Sequence, residues 1–148
     1  MNEGENVMKF QDNGFLPPGI HLLTWKEAES LLVFNSRRRE LFAGVKRACQ
    51  PLKKAGCKRL YLDGSFSTAK EFPGDFDGCW DDSTVDFALL EQLDPVLLDF
   101  KHPRAAQKAK YGGELFIASN MADGEKTFLE FFQQSRDGEP KGIIAIDL

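Results

Sequence analysis

The chain has 148 residues, a length that suits one domain built around a single hydrophobic core. Hydrophobic residues make up 42% and charged residues 28%, a composition that excludes a disordered chain, and no apolar run has the length of a membrane helix. The formal net charge of −4 argues against an extended nucleic-acid surface, which is usually basic.

The N-terminal part of the sequence predicts an arm and then a helix. Residues 1–18 contain glycine and proline with little periodicity, so we expect an extended arm there and a single domain over 19–148. Thr24 and Glu27 have the spacing of a capping box, which predicts a helix over about 25–34.

A second helix is expected to begin at Ser36, which can cap it, and to end at Gly56. Its apolar positions, from Leu41 to Leu52, fall on one stripe at helical spacing. The basic cluster Arg37-Arg38-Arg39 is expected to be exposed charge on the surface of this helix.

The rest of the chain predicts four strands and further helices. The strands are expected at 58–63, 76–80, 114–118 and 141–148. Two short helices broken near Pro95 are expected within 85–100, a third from Pro103 to Lys110, and a fourth from Gly124 to Gln134. This order predicts an α+β (mixed α/β) domain with a mixed sheet flanked by helices.

Polar residues that suit a phosphate and a metal ion stand at the ends of the first two of these strands. Gly64 lets the backbone approach a phosphate closely, and Ser65 adds a hydroxyl. Asp75 and Asp77 are two residues apart on a strand, so both carboxylates aim at one side. Carboxylate oxygens are the ligands that Mg²⁺ takes together with substrate phosphates.

The stretch from Leu62 to Phe66, a spacer, and then Asp75-Phe76-Asp77 resembles the signature of the DNA polymerase beta-like nucleotidyltransferase superfamily. The longer sequence around it, with Leu16 to His21 at the start and Lys141 to Ile144 at the end, is similar to a family of short bacterial nucleotidyltransferase-like proteins of largely uncharacterised function. The resemblance implies a minimal nucleotidyltransferase fold over most of the chain.

A third acidic residue is implied by the resemblance, because members of the superfamily carry one on a later strand. Glu114 is the best match, although related chains usually have aspartate there, and Asp99 is the competing position. The resemblance implies that Asp75, Asp77 and Glu114 are the catalytic residues and bind Mg²⁺ or Mn²⁺.

The implied reaction is nucleotidyl transfer assisted by two metal ions. Gly64 and Ser65 would hold the phosphates of ATP or another NTP. Basic side chains at Lys70, Arg104, Lys108 and Lys110 are candidates for neutralising those phosphates.

The sequence therefore predicts an Mg²⁺-dependent nucleotidyltransferase that moves an NMP, AMP from ATP above all, onto a protein or small-molecule acceptor. Small members of the superfamily include antitoxins that modify a partner toxin, so a toxin-like acceptor is expected by analogy. The alternative is a catalytically degenerate fold that acts as a binding protein or antitoxin. An enzyme of signalling nucleotides or of tRNA modification is a weaker alternative.

The three cysteines match no zinc spacing, and the N-terminus lacks the apolar segment of a secretory signal. We therefore expect a cytoplasmic protein with reduced thiols and no membrane partner.

Overall fold

The architecture is that of a mixed sheet with helices. The computed structural model describes residues 8–101 and 104–148. Its elements are, in chain order, β1 (Gly19–Leu22), α1 (Trp25–Leu32), α2 (Ser36–Lys54), β2 (Arg59–Asp63), β3 (Phe76–Trp80), α3 (Phe87–Leu93), α4 (Ala105–Tyr111), β4 (Gly113–Ile117), α5 (Phe128–Phe131) and β5 (Gly142–Asp147), with short 3₁₀ turns at Ser65–Ser67 and Pro95–Leu98. The predicted α+β class is confirmed. Within the described ranges, no helix combines the length and apolarity needed to cross a membrane.

The strands form one sheet in the order β1-β5-β2-β3-β4. The β2–β3 and β2–β5 pairs are antiparallel, whereas β3–β4 and β1–β5 are parallel. The register places Asp63 opposite Asp77 and Asp77 opposite Glu114. Paired residues point to the same face of a sheet, so three carboxylates emerge side by side from three neighbouring strands.

The two faces of the sheet are covered differently. The main core contains Leu60, Leu62, Phe76 and Trp80, all fully buried, and the helices α1 to α4 pack against this face. The opposite face carries a smaller cluster in which Phe132 and the partly buried Phe128 pack near Tyr61 and Cys79. The acidic residues lie on this second face, because they alternate with the core residues along each strand.

Helix α2 begins at Ser36, but its N-cap lies one residue earlier than predicted. Asn35 is the N-cap, and its side-chain oxygen accepts a hydrogen bond from the backbone N–H of Arg38 at 2.9 Å. The expectation that Ser36 caps the helix is therefore wrong, and so is the expectation that all three arginines are surface charge. Arg38 is fully buried, whereas Arg39 is exposed.

Helices α2 and α4 touch backbone to backbone at Gly44. A Cβ atom added to Gly44 would lie 1.9 Å from the carbonyl oxygen of Tyr111, so only glycine fits. The hydroxyl of Tyr111 also donates to the buried carboxylate of Asp94. The C-terminal end of α4 is thereby fixed against α2. The predicted start of this helix, Pro103, lies outside the described residues.

Other differences from the predicted elements lie near the two ends of the chain. The predicted helix over 124–134 is only Phe128–Phe131, because the side chain of Asp123 accepts from the N–H groups of Glu125 and Lys126 in a turn before it. The capping box of Thr127 and Glu130 then starts the helix. Strand β1 is not among the predicted elements. Residues 1–7 of the expected arm lie outside the described residues, while Leu16 is fully buried.

Candidate functional site

Three carboxylates converge where β3 and β4 begin. Asp75 precedes β3, Asp77 lies within it and Glu114 lies in β4. One oxygen from each carboxylate lies within 4.8 Å of the others. Three hard oxygen donors so close together fit a divalent cation such as Mg²⁺ or Mn²⁺. The structure therefore brings together the three acidic residues that the sequence singled out. We call them the acidic triad.

The turn after β2 lies directly beside the triad. Gly64 has a φ of 73°, a left-handed conformation that glycine adopts without strain. Ser65–Ser67 then forms a 3₁₀ turn in which the N–H of Ser67 donates to the carbonyl of Gly64 at 3.0 Å. Ser65 is half-buried. The predicted phosphate-binding pair Gly64 and Ser65 thus lies next to Asp77.

Asp77 is the most strongly perturbed acid of the triad. Burial, and then repulsion from Asp75, Glu114 and Asp63, raise its pKa from 3.8 to about 7. Burial is also the main cause of the raised pKa of Asp75, where repulsion from Glu114 adds to it. Among the residues that the structure describes, no cationic side chain forms an ion pair with Asp77. Its carboxylate is therefore the one that a bound cation would stabilise most.

Two cationic side chains from the α4 region compensate Glu114. Lys108 Nζ lies 3.0 Å from Glu114 Oε1 and 3.9 Å from Asp75 Oδ2. Arg104 precedes the helix and pairs with Glu114 through its Nε, while its guanidinium lies 5.1 Å from the ring centroid of Phe116. Arg104 has a φ of 60°, the one left-handed residue other than glycine among those described. The charge of the buried Glu114 is thus compensated by two cationic side chains of the protein.

A family model matches residues 8–147, which include the triad and the turn beside it. The chain belongs to the DUF6932 family. This family is described as one of unknown function, so membership assigns no activity. No significant match is found among curated proteins or among solved structures. The likeness to nucleotidyltransferases therefore remains a prediction for this DUF6932 protein.

A fourth carboxylate and its partner extend the site in this DUF6932 member. Asp63 is buried, and Lys141 Nζ lies 3.1 Å from its Oδ1. Burial raises the pKa of Asp63, and Lys141 opposes that rise. The sequence does not single out Asp63 or Lys141 as site residues. The signal was weak, because the two residues are joined only by the long-range pairing of β2 with β5.

The remaining predicted site residues lie in different surroundings. Lys70 is exposed in the loop between β2 and β3, and its charge acts on the carboxylate of Asp75. Lys110 Nζ instead lies 3.1 Å from Asp94 Oδ2 and interacts with the ring of Tyr111. Asp99, the competing third acid, accepts a hydrogen bond from the N–H of Lys101 and is not part of the triad.

Proposed function

We propose that this protein is an Mg²⁺-dependent nucleotidyltransferase, which moves AMP from ATP onto a protein or small-molecule acceptor. The observation that carries the proposal is the convergence of Asp75, Asp77 and Glu114 within 4.8 Å, beside the Gly64–Ser65 turn. A metal-binding group next to a turn that admits close approach of a phosphate suits a metal–nucleotide complex better than either ligand alone.

Each residue has a distinct part in this proposal. The triad would hold the cation, which would stabilise the charge that develops at the α-phosphate as a deprotonated acceptor hydroxyl attacks it and pyrophosphate leaves. The hydroxyl of Ser65 can donate to a phosphate oxygen, and the missing side chain of Gly64 leaves room for the carboxylate of Asp77 directly beside the turn. Lys108 and Arg104 supply positive charge at the same place, so they can shift from Glu114 to phosphate oxygens when a cation takes over the carboxylates.

The class of acceptor follows from charge and size. A net charge of −4 on 148 residues favours a protein or small-molecule acceptor over a nucleic acid. A toxin-like protein, modified by this chain as its antitoxin, is the acceptor that the likeness to small nucleotidyltransferases suggests. We place the protein in the cytoplasm, in keeping with its three free, buried cysteines.

The test begins with binding, because binding needs no acceptor. Calorimetric titrations measure Mn²⁺ first and then ATP in the presence of Mn²⁺, with Asp77→Asn as the variant and exposed Asp123→Asn as its matched control. We expect the wild type and the control to bind both ligands and Asp77→Asn to bind neither. A wild type that binds no nucleotide would sink the proposal.

Transfer is then tested with ATP labelled at the α-phosphate and, in parallel, at the γ-phosphate. Nucleotidyl transfer leaves the α label on the acceptor, whereas phosphoryl transfer leaves the γ label. The acceptors offered are this chain itself and the product of the neighbouring reading frame. Attachment of the α label that is lost in Asp77→Asn is the expected result.

One observation favours a second function, that of a catalytically degenerate binding protein or antitoxin. Glu114 is already paired with Arg104 and Lys108, as a carboxylate with a structural role would be. This candidate predicts that Asp75→Asn and Asp77→Asn keep full protective function in cells. Loss of that function in both variants, with the fold intact, would exclude it.

A further inference from the structure

Arg38 is a buried cation without an acidic partner. Its side chain is fully buried in the first turns of α2, and among the described residues no carboxylate forms an ion pair with it. Burial lowers its pKa to about 10, so it remains charged at neutral pH. An unpaired buried charge is strongly unfavourable unless polar groups replace its water. The groups that do so indicate what this residue is for.

Backbone carbonyls take the place of an acidic partner. The guanidinium donates to Leu32 O at 3.0 Å, Phe66 O at 2.8 Å, Lys70 O at 2.7 Å and Ser65 O at 3.3 Å, and also to Thr68 O. The rings of Phe34 and Phe66 lie 4.3 and 5.4 Å from it. Four of the five carbonyls belong to residues 65–70. This segment therefore curls around one side chain, directly after Gly64.

The same end of α2 also holds the far end of the loop. Arg37 Nε donates to Pro73 O at 3.1 Å and its guanidinium also donates to Gly74 O, immediately before Asp75. Asn35 Nδ2 donates to Glu71 O at 2.6 Å. Arg37 and Arg38 thus contact opposite ends of the loop between β2 and β3. Arg38 fixes the turn that carries Ser65, and Arg37 fixes the approach to Asp75.

We propose that Arg38 is the positioning residue of the nucleotide-binding turn. It anchors the backbone of residues 65–70 to the carbonyl of Leu32 at the end of α1, and so holds this segment at a fixed place relative to the acidic triad. It thereby sets nucleotide affinity without contacting metal ligands. The proposal rests on the proposed function, because it takes the Gly64–Ser65 turn as the part that receives the phosphates.

The test separates nucleotide affinity from metal affinity. Arg38→Gln removes the charge and most donors, Arg38→Lys keeps the charge with fewer donors, and Arg39→Gln is the matched control on the exposed side of the same helix turn. Each protein is titrated with Mn²⁺ alone and with ATP in the presence of Mn²⁺, well below its unfolding temperature.

We expect Arg38→Gln to weaken ATP binding at least about tenfold while Mn²⁺ affinity stays within about twofold of the wild type, since none of the hydrogen bonds of the Arg38 side chain goes to a residue of the triad. Arg38→Lys should recover part of the loss, and Arg39→Gln should bind both ligands normally. Hydrogen exchange at residues 65–70 should be faster in Arg38→Gln, with β2 and β3 unchanged.

Several outcomes would overturn the proposal. Folded Arg38→Gln with normal ATP affinity would overturn the positioning role alone. A parallel loss of Mn²⁺ and ATP binding would do so too, because it would show a general structural role. If Arg38→Gln does not fold, the affinities of Arg38→Lys for Mn²⁺ and for ATP are compared with those of the wild type in the same way. A wild type that binds Mn²⁺ but no nucleotide would instead overturn the proposed function, and this inference with it.

Discussion

Gly64 and Asp77 are so close that no side chain fits between them. A Cβ atom added to Gly64 would lie 2.4 Å from Asp77 Oδ2 and 3.0 Å from Asp77 Cβ. Glycine is needed there for a second reason as well, because its φ of 73° is left-handed. The turn that we assign to the nucleotide and the acid that we assign to the metal therefore depend on the same absent side chain.

The substitution Gly64→Ala should displace the carboxylate of Asp77. We expect Mn²⁺ affinity to fall at least about tenfold and the protein to lose roughly 2 kcal/mol of stability, from the clash and from backbone strain. Titration calorimetry and thermal unfolding measure the two effects. Gly74→Ala is the control, since it lies in the same loop and a Cβ there meets nothing within 4 Å. Unchanged Mn²⁺ binding in Gly64→Ala would contradict the prediction.

Neutralising Asp77 should stabilise the metal-free protein. The pKa of this carboxyl is raised from 3.8 to about 7 in the folded state, so its protonated form is favoured by folding and stability is lost as pH rises through that range. Asp77→Asn removes this loss. We expect a gain of roughly 4 kcal/mol above pH 7 and little difference below pH 3.8, measured by denaturant unfolding with a chelator present.

Asp123→Asn is the matched control for this pH dependence, and its effect on stability should have the opposite sign. Hydrogen bonds from the N–H groups of Lys126 and Glu125 lower the pKa of exposed Asp123, so its ionised form contributes stability at neutral pH. Asp123→Asn should therefore be slightly less stable than the wild type above the ordinary pKa. A stability of Asp77→Asn that runs parallel to that of the wild type at every pH would contradict the burial and repulsion assigned to Asp77.

Lys108 should affect the two proposed ligands in opposite directions. Its Nζ lies 3.0 Å from Glu114 and 3.9 Å from Asp75, where a cation repels a metal ion and attracts a phosphate. We expect Lys108→Gln to raise Mn²⁺ affinity by about fivefold and to lower ATP affinity by a similar factor, because the substitution removes one positive charge. Exposed Lys26→Gln on α1 should change neither. A shift of both affinities in the same direction would show that Lys108 acts on folding instead.

The contact between α2 and α4 predicts an unusual sign for a helix substitution. Glycine to alanine inside a helix normally stabilises by up to about 1 kcal/mol. Gly44→Ala should instead destabilise by at least about 2 kcal/mol, because the new Cβ would lie 1.9 Å from the carbonyl oxygen of Tyr111. Denaturant unfolding decides, with Ala43→Gly at the exposed neighbouring position as comparison. A more stable Gly44→Ala would show that α4 is free to move away from α2.

The sequence predicts well whatever depends on local spacing. The capping box at Thr24, the strand Phe76–Trp80 and the end of α2 near Gly56 follow from neighbours within a few residues, and the structure agrees. The convergence of Asp75 and Asp77 follows from strand alternation alone. Placing Glu114 beside them needed the resemblance as well, because only the pairing of β3 with β4 brings it there.

What the sequence could not predict depends on long-range contacts. Strand β1 exists because it pairs with β5 at the other end of the chain, and Lys141 reaches Asp63 through the pairing of β5 with β2. Arg38 appears as one member of a basic run, and nothing local shows that carbonyls of residues 65–70 surround it. Helix α5 is shorter than the sequence predicts because Asp123 stabilises a competing turn.

The strand register has a consequence for how the protein assembles. Asp63, Asp77 and Glu114 are aligned across three strands, and a slip of β3 by one residue would turn Asp77 into the core and Phe76 out of it. Only the correctly aligned sheet presents the complete triad. A divalent cation would then act as a ligand of the native alignment, selecting it from slipped alternatives and increasing the yield of refolding by mass action. The carboxylates that destabilise the metal-free sheet would thus favour the native strand register once a cation is bound.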